Sequence, residues 1–233
     1  MRSACYLLAG ILTLFGCATQ SQLYQPQYSA KAIEAWVVDG ETNQPLEGVT
    51  VLASWEVEAG AMKAKSKIYR IKLLEAVTDK NGRFFFPPWG PELNPSVIGY
   101  IGTRDPALIF FKSGYRYLGQ ENFGTLGRPG AVRYSDWDGK TIKMQKPTSD
   151  VDYLDRFGRL RDTLDVILAS EEEPCNWKRA PKMVLAVLVE ERRLRDRGLT
   201  NFPSLISRLR TSEDYFSRSG CGSVNAFLDN LSK

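Results

Sequence analysis

The spacing of apolar residues changes once along this 233-residue chain, near Pro147-Thr148-Ser149, and that change separates two kinds of structure. Upstream, from residue 32, short β-branched and aromatic runs are separated by turn clusters and carry no helical period, which predicts antiparallel sheet. Downstream, Leu154, Phe157, Leu160, Leu164, Ile167 and Leu168 recur at three- and four-residue spacing. They predict an amphipathic helix over 151–170, with Ser149 or Asp150 as its cap. Glu171-Glu172-Glu173-Pro174-Cys175 breaks it, and Pro181 suits the first turn of a second helix over 182–197, closed by Gly198. The first half of that helix (Met183, Val184, Leu185, Val187, Leu188, Val189) is apolar nearly all round and belongs at the centre of a small helical core. Its second half, 190–197, reads as a solvated charged cap with positive charge near the carboxyl terminus. A third helix starts at Thr200-Asn201-Phe202-Pro203, and a short fourth holds Val224, Phe227, Leu228 and Leu231.

In the upstream half, strands are predicted over 32–38, 48–57, with Val49, Val51 and Ala53 on one face, and 67–78. Asp79-Lys80-Asn81-Gly82 then leads into Arg83-Phe84-Phe85-Phe86, and Asn-Gly between two strand-like runs predicts a tight hairpin. Asp79 and Asn81 lack the further oxygen ligands of a calcium loop nearby, so the turn reading is preferred.

The chain has no histidine, which removes the usual general base, the usual zinc ligand and the middle member of Ser and Cys triads. Carboxylate pairs, Lys and Tyr remain as catalysts. The formal net charge of +4, with Arg2 in the leader and no long basic run, does not point to nucleic acid.

Met1 and Arg2 followed by the apolar run 4–15 match an export signal, and that run is shorter than the roughly 20 residues a bilayer-spanning helix needs. Leu14-Phe15-Gly16-Cys17 resembles the bacterial lipobox, although Phe15 is larger than the slot usually holds. The resemblance implies acylation (palmitate or a related chain) of Cys17, and Ala18-Thr19 after it imply sorting to the outer membrane, facing the periplasm or the surface. Several acyl chains at about 0.8 kcal/mol per buried methylene hold stably where one is marginal. Cleavage after Ala18 would instead release a soluble periplasmic protein. Residues 18–31 are polar and Gln-rich and read as a tether. In an oxidising compartment the two remaining cysteines, Cys175 and Cys221, read as a disulfide; two buried thiols are the other reading. Such a bridge closes a span of 46 residues, contributes about 4 kcal/mol, and its reduction is expected to loosen the helices first.

Ile33-Glu34-Ala35-Trp36-Val37-Val38-Asp39, Thr42-Asn43-Gln44-Pro45-Leu46-Glu47-Gly48-Val49-Thr50-Val51, Ala76-Val77-Thr78-Asp79-Lys80-Asn81-Gly82-Arg83-Phe84 and Phe111-Lys112-Ser113-Gly114-Tyr115 follow one another in that order. Together they resemble the carboxypeptidase regulatory-like domain over 32–147. The resemblance implies a transthyretin-like, Ig-like β-sandwich of about seven strands, here followed by a small α-helical region over 148–233. It implies no catalytic residue, metal or cofactor, since the domain named is the accessory one.

Two insertions depart from that pattern. One opens at Pro87-Pro88-Trp89-Gly90-Pro91 and runs to Asp105-Pro106; the other spans 119–139. Loops this long inside a compact domain are more often functional than accidental. If both lie at one end, Trp89, Tyr100, Tyr134 and Trp137 form a ligand-facing aromatic surface for sugar or peptide; the alternative is that they fold down and cap the sandwich. Arg104, Arg116, Arg128 and Arg133 near them could hold an anion, scattered surface arginines being the commoner case. The expectation is a non-enzymatic, lipid-anchored envelope protein presenting a binding or scaffold module to an envelope protein or glycan. The alternative is a His-free hydrolase of envelope polysaccharide using two of Asp105, Glu121, Asp136 and Asp138, and a third reading is a spacer that holds the helical part away from the membrane.

Overall fold

A computed structural model describes residues 27–59, 67–95, 100–101, 104–123 and 131–232, with the backbone alone at Tyr100. The leader, Cys17, residues 18–26 of the tether, Arg128 and the Tyr100 side chain lie outside the described residues.

Eleven strands form three sheets among the described residues, followed by five α-helices. The central sheet runs β4 (Lys67–Val77), β3 (Thr50–Ala59), β8 (Ala107–Phe111), β9 (Leu118–Gln120), with β7 (Tyr100–Ile101) against the far end of β3. The open sheet runs β11 (Thr141–Met144), β2 (Ile33–Asp39), β5 (Arg83–Phe86). A third, the end sheet, places β1 (Gln27–Ala30) between β10 (Val132–Arg133) and β6 (Trp89–Leu93). The count exceeds the roughly seven strands expected because the three strands of the end sheet and β7 are built from the tether's last residues and the two insertions.

Strict alternation in β2 buries Ile33, Ala35 and Val37, and Phe84, Phe86, Ile142 and Met144 join them from β5 and β11. Val51, Ala53, Trp55, Leu108 and Phe110 of the central sheet close this sandwich core from the other side. β3 was expected to bury one face, yet both are covered: Leu52, Leu73, Ile109 and Phe111 point away from the sandwich into a second core shared with the helices. The layers therefore stack as open sheet, central sheet, helices, and the helical region rests on the sandwich.

The Asn81-Gly82 turn connects sheets instead of closing a hairpin. β4 is hydrogen-bonded to β3 and β5 to β2, so the chain crosses from one layer to the other at this point. Asp79 Oδ1 accepts from Asn81 N at 2.9 Å and Arg83 N at 3.0 Å. Gly82 has φ +72°, and a Cβ there would lie 2.3 Å from Val37 O, so no other residue fits.

The helices are α1 (Asp150–Leu168), α2 (Pro181–Asp196), α3 (Leu205–Thr211), α4 (Glu213–Arg218) and α5 (Val224–Leu231). Ser149 caps α1 and Pro181 opens α2, as their positions predict, while the third predicted helix divides into α3 and α4 at Ser212. Cys175 and Cys221 are joined, fixing the short 3-10 helix Asn176–Arg179 to the turn before α5.

The supposed charged cap of α2 is a correction. Glu190 and Glu191 are buried, the first accepting from Tyr153 Oη at 2.7 Å and from Arg193, the second from Ser204 Oγ and from Ile206 N at 3.2 Å. A buried carboxylate with several donors is tolerated where a lone one is not.

Candidate functional site

The two insertions meet at one end of the sandwich. β1 pairs with β6 from the first and with β10 from the second, through Tyr28↔Glu92 and Ser29↔Val132. Asn122, buried in the second insertion, fastens them directly. Its Nδ2 donates to Asp105 O at 2.7 Å and Tyr134 O at 2.9 Å, its Oδ1 accepts from Asp136 N at 2.8 Å, and its N–H donates to Arg104 O at 2.8 Å. The tether expected to reach residue 31 thus ends earlier, because residues 27–30 supply the strand that both insertions need.

The proposed aromatic surface does not assemble. Trp89 is buried, edge-on to Trp55 with ring centroids 5.4 Å apart, because its strand pairs with β1 at the lip of the core. It is not ligand-facing. Trp137 lies half-buried, donating Nε1–H to Glu121 O at 2.8 Å, with its ring centroid 5.4 Å from that of the tilted Phe123 ring. Tyr134 is partly exposed, and its carbonyl is held by Asn122. Trp89 and Trp137 pack against the sandwich core, and Tyr134 does not. The arginines are likewise dispersed: Arg116 pairs with Asp152 at 2.7 Å, Arg104 with Glu121 at 3.6 Å, and Arg133 is buried in the end sheet.

Of the four candidate acids, Glu121 lies near enough to Asp105 for its charge to act on it. Asp138 Oδ1 accepts from Glu34 N and Asp136 Oδ2 from Phe123 N, each at 2.8 Å, so both hold backbone in place. Asp105 differs. Its Oδ2 accepts from Glu56 N at 3.3 Å, and burial first, then the charge of the Glu56 carboxylate, push it up to about 8 against the pull of Arg133. It holds its proton at neutral pH. Glu56 itself faces the buried Arg70 at 3.3 Å. Among the described residues no cluster of three or more His, Cys, Asp or Glu could hold a metal ion, and no helix is long and apolar enough to cross a membrane.

A surface that the sequence reading did not single out is the outer face of the open sheet. Here Glu34, Trp36 and Val38 of β2 lie beside Arg83 and Phe85 of β5 and Thr141 and Lys143 of β11, with Trp36 opposite both Arg83 and Thr141. Phe85 is 45% exposed and Trp36 half-buried. Arg83 pairs with Glu34 and lies 5.9 Å from the Phe85 ring centroid, a cation–ring contact on this face. The even positions of Ile33-Glu34-Ala35-Trp36-Val37-Val38 carried this signal, since a Trp on the polar side of an alternating strand faces outward.

No family model matches the chain, and no curated protein matches it. Among solved structures, it is similar to the group B streptococcus pilus 2b backbone protein, at 12% identity and a TM-score of 0.27, over 51% of this chain and 42% of that one. It is similar to a 9R-lipoxygenase from Cyanothece PCC8801 at 16% identity and a TM-score of 0.21, over 51% of this chain and 16% of that one. The chain thus spans less than half the length of either protein.

Proposed function

We propose that this is a lipid-anchored, non-enzymatic envelope protein that presents its open sheet to an envelope protein or glycan. The layering carries the reading: among the described residues the central sheet is covered on both faces, by the open sheet and by the helices, whereas the open sheet is covered on one. Its other face places Trp36 and Phe85 diagonally, beside Glu34, Arg83 and Lys143. Flat aromatic rings beside fixed donors and acceptors suit stacking on a sugar ring or a peptide plane. The N-terminal run ending at Cys17 supports the anchoring, the disulfide supports an oxidising compartment, and the carboxypeptidase regulatory-like pattern supports an accessory, non-catalytic sandwich. The acylated protein and its Trp36→Ala, Phe85→Ala double variant are to be compared for partners recovered from native membranes and for retention on envelope polysaccharide. The variant is expected to lose what the wild type holds; equal retention, or no retention by either, ends the proposal.

One observation favours a second reading, a His-free hydrolase. Asp105 stays protonated at neutral pH beside the Glu56 carboxylate, the division of roles that an acid and its partner need. On this reading the wild type releases new reducing ends from envelope polysaccharide and Asp105→Asn does not. Absence of release from the wild type eliminates it.

A further inference from the structure

We infer that the outer face of the end sheet, with Leu93 and Val132 on the strands that flank β1, lies against the bilayer that holds the protein. The inference rests on acylation of Cys17, proposed above, and adds which face of the molecule meets lipid.

Three observations place it there. First, β1 begins at Gln27, ten residues after Cys17. Ten residues reach at most about 35 Å whatever their conformation. A fold of this size is about 40 Å across, so the region where the tether enters is the one held near the membrane. Second, the entry point is paired residue for residue with apolar surface. Gln27 lies opposite Leu93 and Ser29 opposite Val132, so the four side chains share one face while Ala30, Trp89 and Arg133 turn inward. Third, Leu93 is 58% and Val132 49% exposed, on short strands where alternation would ordinarily place polar residues outward. Exposed Lys31 follows directly on β1, suited to phosphate headgroups beside the apolar pair.

The opposite end is a built-in control. β11 runs parallel to β2, with Met144 opposite Asp39, so the chain leaves the sandwich at the end remote from Gln27 and enters α1 there. Val151, 79% exposed at the start of α1, belongs to that end.

The test uses the full acylated chain in vesicles of phosphatidylethanolamine with a minor fraction of phosphatidylglycerol. Leu93→Cys, Val132→Cys and Val151→Cys are each labelled with a polarity-sensitive fluorophore; Cys175 and Cys221 are already joined and Cys17 is acylated, so the new thiol alone reacts. Circular dichroism checks that each variant folds. Labels at 93 and 132 are expected to shift to shorter wavelength and to be quenched by nitroxide lipids, while the label at 151 keeps its aqueous emission. If the protein floats with the vesicles yet all three labels behave alike, the orientation is wrong although the anchoring stands. If in native membranes labels 93 and 132 are shielded from iodide but untouched by nitroxide lipid, a protein covers this face and the inference fails. If the chain does not float and its mass shows no acyl chain, the anchoring reading and this inference fall together.

Discussion

Reduction of the Cys175–Cys221 bridge is predicted to lower the stability of the whole molecule in one step. The bridge closes a span of 46 residues, for which the chain-entropy relation gives about 4 kcal/mol. At a urea dependence near 3 kcal/mol per molar, the upper part of the range for single domains, the midpoint falls by about 1.3 M. The sequence alone suggests that the helices would loosen first. The structure argues otherwise, because Cys221 lies in the core that holds Trp177, Phe216 and Val224 together with Leu52, Leu73, Ile109 and Phe111 of the central sheet. Beside Cys175, Glu173 accepts from Arg70 N at 2.5 Å and Arg179 donates to Arg70 O at 3.1 Å, so the segment carrying the bridge also grips the edge strand β4. The assay is urea unfolding, with and without a phosphine reductant, followed by far-UV circular dichroism for the helices and by tryptophan fluorescence. Four of the five tryptophans, at positions 36, 55, 89 and 137, report the β half. Both signals should move together by the same amount. A reduced protein whose helical signal is lost at lower urea than its fluorescence would refute the shared-core argument.

Three further outcomes are expected from single substitutions. Glu75 of β4 accepts from Lys182 N at 3.0 Å and Met183 N at 2.7 Å, taking the place of the side-chain cap that α2 lacks; Glu75→Ala should cost about 1–2 kcal/mol in urea unfolding, and Glu75→Gln less. Asp105 has its pKa raised from 3.8 to about 8, so between those values the folded state binds more protons than the unfolded one and stability falls as pH rises. Asp105→Asn should remove that slope, leaving the variant at a relative advantage above pH 8, and an unchanged slope in unfolding midpoints would show that burial of this acid is not its source. Leu52→Ala opens a cavity between the central sheet and the helices and should cost about 2–5 kcal/mol, seen equally by dichroism and fluorescence.

Where a local rule and the final packing agree, the sequence was readable. The alternation in β2, the tight turn at Gly82, the helix starts at Ser149 and Pro181 and the pairing of Cys175 with Cys221 all follow from short-range pattern or from parity of cysteines. The end sheet was hidden for a physical reason. β10 has two residues, β6 contains Gly90 and Pro91, and β1 lies in a Gln-rich stretch, so none shows a period. Only pairing among three segments far apart in sequence makes them strands. Trp89 read as a loop aromatic because prolines surround it, and Trp55, which buries it, is 34 positions away. Glu190 and Glu191 looked like solvated charge because the donors that satisfy them, Tyr153, Arg193, Ser204 and the Ile206 amide, come largely from other segments.

The placement of β1 has a mechanical consequence. A pull on the chain ahead of Gln27 acts along the axis of a strand bonded on both sides, to β6 and to β10. Ser29 N to Ala131 O at 2.8 Å and Lys31 N to Arg133 O at 2.9 Å, together with the bonds to β6, then resist in shear and must part together instead of unzipping singly. Behind them, Ala30 and Ile33 are embedded in the sandwich interior, so tension is delivered to the buried core before it reaches any exposed loop.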